Sequence, residues 1–200
     1  VLNLPATIAI LFFYTFPFFT GVGSALMGDE PLTLKLLLAL LAAFFGLALV
    51  AGVDFSGISL VGVAGSLAAS VFFTLTLIMT PRLAPELSAP QRTFFMMSLA
   101  ASLLIAYLAV TGSARFPNAP EGWIPFIIFM TLYGVGINGV FMLLPKLGAT
   151  QTAVALNLEP VLVAIVAFFV VGEVLGPLQL LGALIVVGAV MAYQVSVRRR

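Results

Sequence analysis

Residues 147–173 read LGATQTAVALNLEPVLVAIVAFFVVGE, and in the 26 positions before Glu173 the only charge is Glu159. About 20 apolar residues suffice to cross ~30 Å of hydrocarbon at 1.5 Å per residue. The apolar side chains fall on every face and do not alternate at period two, which reads as helix and not strand. In lipid the backbone must satisfy itself, so a helix in the bilayer is the expectation. A carboxylate beside a proline at its centre sets this span apart.

The rest of the chain extends the same reading. Of its 200 residues 62% are hydrophobic and 8% charged, with mean hydropathy +1.25. A soluble domain carries about 25% charge, so the bilayer is the solvent. Charges and turn residues divide the chain into seven expected helices: 3–27, 35–52, 58–80, 92–111, 122–144, 148–171 and 177–196. The fold class is thus all-α, an integral membrane bundle with no linker long enough to mark a domain boundary. Histidine and cysteine are absent, which leaves no His/Cys metal site, haem ligand, disulfide or cysteine–histidine catalysis. A net charge of +1 argues against a nucleic-acid partner. No cofactor or metal is expected. The chain opens on Val1 with no basic-then-apolar leader. The expectation is no signal peptide and a start partway through a longer protein.

Seven of the eight basic residues lie on one side of this topology: Lys35, Arg82, Arg92, Lys146 and Arg198 to Arg200, against Arg115 alone. The positive-inside rule makes that side, and the C-terminus, cytoplasmic.

An internal repeat runs at an offset of 143: Leu4, Ala6, Thr7, Pro17, Glu30, Leu32, Leu38 and Leu41 match Leu147, Ala149, Thr150, Pro160, Glu173, Leu175, Leu181 and Leu184. The prolines and glutamates carry the match, each proline 13 residues before its glutamate. The sixth expected span lies five crossings after the first, an odd number, so the two run in opposite directions and the copies are inverted. Inverted repeats around a midplane site are the build of many secondary transporters.

The segment Leu158-Glu159-Pro160-Val161 through Gly172-Glu173, then Leu178-Gln179-Leu180-Leu181-Gly182 and Gly188, resembles the end of an EamA domain of the drug/metabolite transporter superfamily. Pro5 through Pro17 to Gly28-Asp29-Glu30 and Gly46 resembles the end of a preceding copy, with Asp29 where that family usually has glycine. The resemblance implies a ten-helix inverted-repeat fold in which this chain supplies helices four to ten. Residues 1–52 would end a first EamA repeat and 53–200 form a second. On that plan the first repeat is incomplete, and the seven helices alone are not expected to transport.

Several residues stand out as candidates. Glu159 should face the bundle interior, pair, or take up a proton; it serves proton coupling or a substrate amine, or is a hydrogen-bonded structural acid. Its repeat mate is Phe16. Pro17 and Pro160 free the carbonyls of Phe13 and Leu156 and are expected to bend their helices, as pathway hinges or as ordinary membrane prolines. Asn157, whose mate is Tyr14, and Asn138 either bond between helices or touch cargo. Tyr14, Phe13 and Phe16 form an aromatic wall or simple packing. Gly62, Ser66 and Ser70, with Gly65 and Ala69, allow close helix approach or line a pathway. Gly134-Val135-Gly136-Ile137-Asn138-Gly139 spells G-x-G-x-x-G, but without a βαβ unit it carries no dinucleotide reading. Glu30 and Glu173 cap the following helix or form gate ion pairs, with Lys35 and Lys146 as partners by proximity.

The leading functional expectation is a secondary transporter of small metabolites, amino-acid-like or drug-like, working by alternating access with proton-coupled efflux across the inner or plasma membrane. A channel or non-transporting membrane scaffold is the alternative. An intramembrane enzyme is disfavoured, because Asp29 and Asp54 sit in loops and serine–histidine chemistry lacks its histidine. Membrane lipid and a small solute are the expected partners.

Overall fold

The computed structural model describes residues 6–52, 59–114, 116–172 and 176–198. Among these the secondary structure is helical throughout: α1 (Ala6–Phe13), α2 (Phe16–Leu26), α3 (Leu34–Ala51), α4 (Leu60–Leu83), α5 (Ala89–Thr111), α6 (Trp123–Leu147), α7 (Ala149–Leu156), α8 (Glu159–Val171) and α9 (Pro177–Arg198), with a 3₁₀ turn at Pro120–Gly122. Seven spans are long and apolar enough to cross a membrane, from Ile8–Leu26 to Pro177–Val197. This is an integral, multi-pass membrane protein. The G-x-G-x-x-G run lies inside α6 with no strand before it, so it has no dinucleotide context. Asp54, Arg115, Glu173, Arg199 and Arg200 fall outside the described residues.

Boundaries follow local chemistry. α3 starts where the Thr33 side chain accepts from the Leu36 N–H at 3.2 Å and stops at Gly52, whose φ of 56° suits glycine. α5 begins three residues earlier than expected, because the Gln91 side chain accepts the Ser88 N–H at 2.9 Å and Pro90 occupies the first turn. α4 and α6 run past Pro81 and Pro145. So near a C-terminus, a proline forfeits little more than its own hydrogen bond.

The first and sixth spans depart from expectation in one respect: they are broken, not bent. Residues 14–15 separate α1 from α2, and residues 157–158 separate α7 from α8. Pro17 and Pro160 sit in the first turn of α2 and α8, where the missing N–H would have no intrahelical partner anyway. The breaks obey the offset of 143 residue for residue, and so do the starts of α3 and α9. Side chains satisfy backbone groups around the first break. Thr15 Oγ1 donates to the Phe12 carbonyl at 2.7 Å and pairs with Ser70 Oγ at 3.0 Å. Thr20 and Thr74, both buried, donate to the Phe16 carbonyl at 2.8 and 3.0 Å. Hydroxyls are what such a site in lipid requires.

The helices group into two compact units, one formed by Val1–Met79 with Gly148–Arg200 and the other by Thr80–Leu147. In the first, α3 and α9 pack against each other along their length. They run antiparallel: Gly46 meets Gly182, and the Gln179 amide reaches the Val50 carbonyl at 3.2 Å. A Cβ on Gly182 would lie 2.5 Å from the Gly46 oxygen and 2.8 Å from the Val50 nitrogen, so these backbones touch because neither position carries a side chain. Ile8, Leu36, Leu40, Leu47, Val154 and Val186 fill the core around them. Of the small-residue stripe on α4, Gly62 and Ser70 are buried while Gly65 and Ala69 are exposed. In the second unit α5 packs on α6, and Arg92 Nη1 donates to the Ala84 carbonyl at 3.0 Å.

Candidate functional site: a cavity at the helix breaks

Within the first unit, α1, α3, α8 and α9 enclose a cavity of about 460 Å³. Its polar groups are Tyr14, Glu159 and Gln179; Phe13, Leu47, Val50 and Val163 are among its apolar lining. No Lys or Arg lines it among the described residues.

The two helix breaks place the polar pair. Tyr14 is the first residue past α1 and Glu159 the first of α8. The Tyr14 hydroxyl donates to Glu159 Oε2 at 3.0 Å, across 145 residues of sequence. As the opening residue of α8, Glu159 stands at the positive end of that helix dipole. Breaking the span therefore creates a helix N-terminus at membrane depth, a setting that tolerates an acid better than a continuous helix would. Gln179 is held at both ends, since its Oε1 accepts the Gly176 N–H at 2.8 Å while its Nε2 donates to Val50.

The remaining candidates are distributed elsewhere. Phe16, 1% exposed, lies in the packed core with its ring edge-on to Phe73 at 4.9 Å, and it does not line the cavity. Phe13 and Tyr14 do line it, so the aromatic residues divide between wall and core. Pro160 is at the cavity and Pro17 is buried beneath the first break. Asn157 is 3% exposed, lies outside the cavity lining, and its Nδ2 finds no hydrogen-bond partner in the structure. Asn138 belongs to the other unit and donates to the Gly134 carbonyl at 2.8 Å within α6. Gln179 escaped the sequence reading as a site residue. Its signal was present as Gly176-Pro177-Leu178-Gln179, a glutamine three residues after the position that it caps.

Glu30 takes a role different from either expectation. Its carboxylate lies over Gly148, where Oε1 would be 2.7 Å from a Cβ on that glycine, whose φ is 81°. It thus faces the N-terminus of the distant α7 and not of the next helix, α3, which Thr33 caps. Burial pushes the Glu30 carboxyl above its ordinary range; Thr150 offsets part of that, and the charge of Asp29 adds to it. Glu30 forms no ion pair with Lys35 or Lys146. Its repeat mate Glu173 is outside the described residues.

Residues 60–193 match the family model of the EamA-like transporter family. No curated protein matches the chain at a significant level.

Proposed function

The chain belongs to the EamA-like transporter family, and from that premise we propose that it is a secondary carrier moving small solutes by alternating access, as proton-coupled efflux across the inner or plasma membrane. The observation that carries this reading is the Tyr14–Glu159 hydrogen bond at the wall of the cavity. Glu159 takes either a proton or the cargo's ammonium group, and Tyr14 holds the carboxylate in position for both. The breaks at Tyr14–Thr15 and Asn157–Leu158 let each half-helix reorient without stretching a continuous hydrogen-bond ladder. The moving bodies are the two repeats, residues 1–52 and 53–200, and the family match falls within the second.

The lining narrows the cargo. One carboxylate, one amide and aromatic and aliphatic walls suit an apolar body bearing a single ammonium. A zwitterionic amino acid would bring a carboxylate to a cavity with no Lys or Arg among its described lining, and burying that charge unpaired is costly. The positive-inside rule supports a cytoplasmic C-terminus and a cytoplasmic Lys35 end of α3. The cavity then lies in the outer half of the bundle, since it takes in Val50 and Ala51 at the far end of α3 and Gln179 at the start of α9. With that orientation, this conformation would present Glu159 to the outside.

The test is Glu159→Gln in proteoliposomes. Flux of a lipophilic amine driven by a pH gradient should be lost in the variant, and unchanged pH-dependent flux would remove Glu159 from coupling. Saturable counterflow in the parent protein separates a carrier from a channel.

A further inference from the structure

At the opposite end of the α3–α9 pair, two further cavities adjoin. One, of about 470 Å³, is lined by Leu38, Ala39, Ala42, Ala189 and Ala192 and ends at Lys35, Tyr193 and Ser196. The other, of about 230 Å³, shares those last three residues and adds Glu30, Thr33 and Gln151. An apolar slot therefore opens into a polar mouth. The slot exists because the side chains along this stretch of α3 and α9 are small: Ala39, Ala42, Ala189 and Ala192 leave room that larger residues would fill. In lipid an unfilled gap between helices forfeits dispersion contacts, and an acyl chain is the available filler.

The mouth carries charge of both signs. Lys35 is exposed, at the first turn of α3, and makes no ion pair among the described residues. Glu30 is half-buried across the mouth. A cation and a carboxylate around one small polar cavity complement a phosphate joined to a primary ammonium. We infer that this site binds one phospholipid with an ethanolamine headgroup, its acyl chain in the Ala39–Ala189 slot, its phosphate at Lys35 and its ammonium donating to Glu30. A choline headgroup has no N–H to donate to the carboxylate, and a glycerol headgroup brings no cation to it. A basic residue merely anchoring a helix end in the interface would show no such preference.

The experiment is lipid binding to the purified, delipidated protein in detergent, read by native mass spectrometry and thermal shift. Phosphatidylethanolamine, phosphatidylglycerol and phosphatidylcholine with identical acyl chains are compared with soluble phosphoethanolamine. Phosphatidylethanolamine should bind about tenfold more tightly than the other two lipids, the scale of one charge-assisted hydrogen bond. Lys35→Gln should weaken it by a similar factor, and Glu30→Gln should erase its advantage over phosphatidylglycerol. Ala42→Leu, which fills the slot and leaves both charges, should weaken all three lipids. Equal binding of the three lipids to the parent protein would overturn the proposal, as would ethanolamine selectivity that survives both charge variants. Phosphoethanolamine binding as tightly as the whole lipid would also overturn it, in favour of a soluble headgroup ligand.

Discussion

The Tyr14 hydroxyl and the Glu159 carboxylate meet at 3.0 Å across the repeat, each beside a helix break. The offset of 143 carries this pair onto Asn157 and Phe16, both buried and neither in the cavity lining. The two halves thus share a backbone plan but not its chemistry: each break sends one residue of the tyrosine–carboxylate pair to the cavity, and the repeat mate of each is packed away from it.

Tyr14→Phe keeps the ring and removes the donor. Hydrogen bonds between membrane helices average about 0.6 kcal/mol and reach about 1.7. Unfolding in mixed micelles should therefore show a loss in that range. Transport should suffer more, through a raised KM for amine cargo, because the carboxylate loses the group that orients it. A variant with unchanged KM would confine Tyr14 to packing.

Gly182→Ala places a methyl group against the Gly46 carbonyl and the backbone of Val50. Overpacking of this kind costs about 1–3 kcal/mol, and the clashing atoms are backbone, which cannot rotate away. Gly188→Ala, on the same helix with open space at its Cβ, should be neutral, or stabilising by up to about 1 kcal/mol through helix propensity. Chemical unfolding of the two variants side by side checks the contrast.

Thr74→Val removes the donor that α4 extends to the Phe16 carbonyl at 3.0 Å. The Thr20 hydroxyl remains on that oxygen at 2.8 Å, so the single variant should lose only about 0.6 kcal/mol. Pairing it with Thr20→Val strips both hydroxyls. The combined loss should exceed the sum of the single losses, since groups sharing one partner are not additive. A double-mutant cycle on thermal stability decides it.

Glu30 has a carboxyl pushed upward by burial, so the folded state holds its proton more tightly than the unfolded chain does. Stability from this group is fully present below the ordinary carboxylate range and is lost as pH rises through the raised value. Glu30→Gln should flatten that segment of the curve. Melting temperatures of parent and variant, measured from below pH 4 to pH 8 at constant salt, should converge at low pH and separate above it.

Much of the architecture was legible because lipid leaves few options. Charge-free runs gave the seven spans, and the Pro17/Pro160 and Glu30/Glu173 pairs gave the offset that the helix breaks follow. Bends were expected where breaks occur, since proline position alone does not reveal whether the two preceding residues leave the helix. The Gly46–Gly182 contact was not legible: it joins residues 136 apart, and nothing local marks which glycine will meet another backbone. Glu159 was legible as an isolated acid. Its pairing was not: Tyr14 stands in the sequence as a candidate for cargo contact in an aromatic wall, and no local signal joins two residues 145 apart. Glu30 was assigned to the neighbouring helix for want of any long-range signal toward α7.

The Gly46–Gly182 crossing makes α3 and α9 a pair of tongs. Ala39 and Ala189 are each seven positions from that crossing, a lever of about 10 Å at 1.5 Å per residue. Opening the blades by about 10° at the pivot would part their tips by nearly 2 Å, with the glycine backbones still in touch. Whatever lies between the tips therefore sets how far the blades can close. A filler there would hold the angle between two helices that also line the cavity of Tyr14 and Glu159 at the far end of the pair, and so adjust the shape of that cavity from a distance.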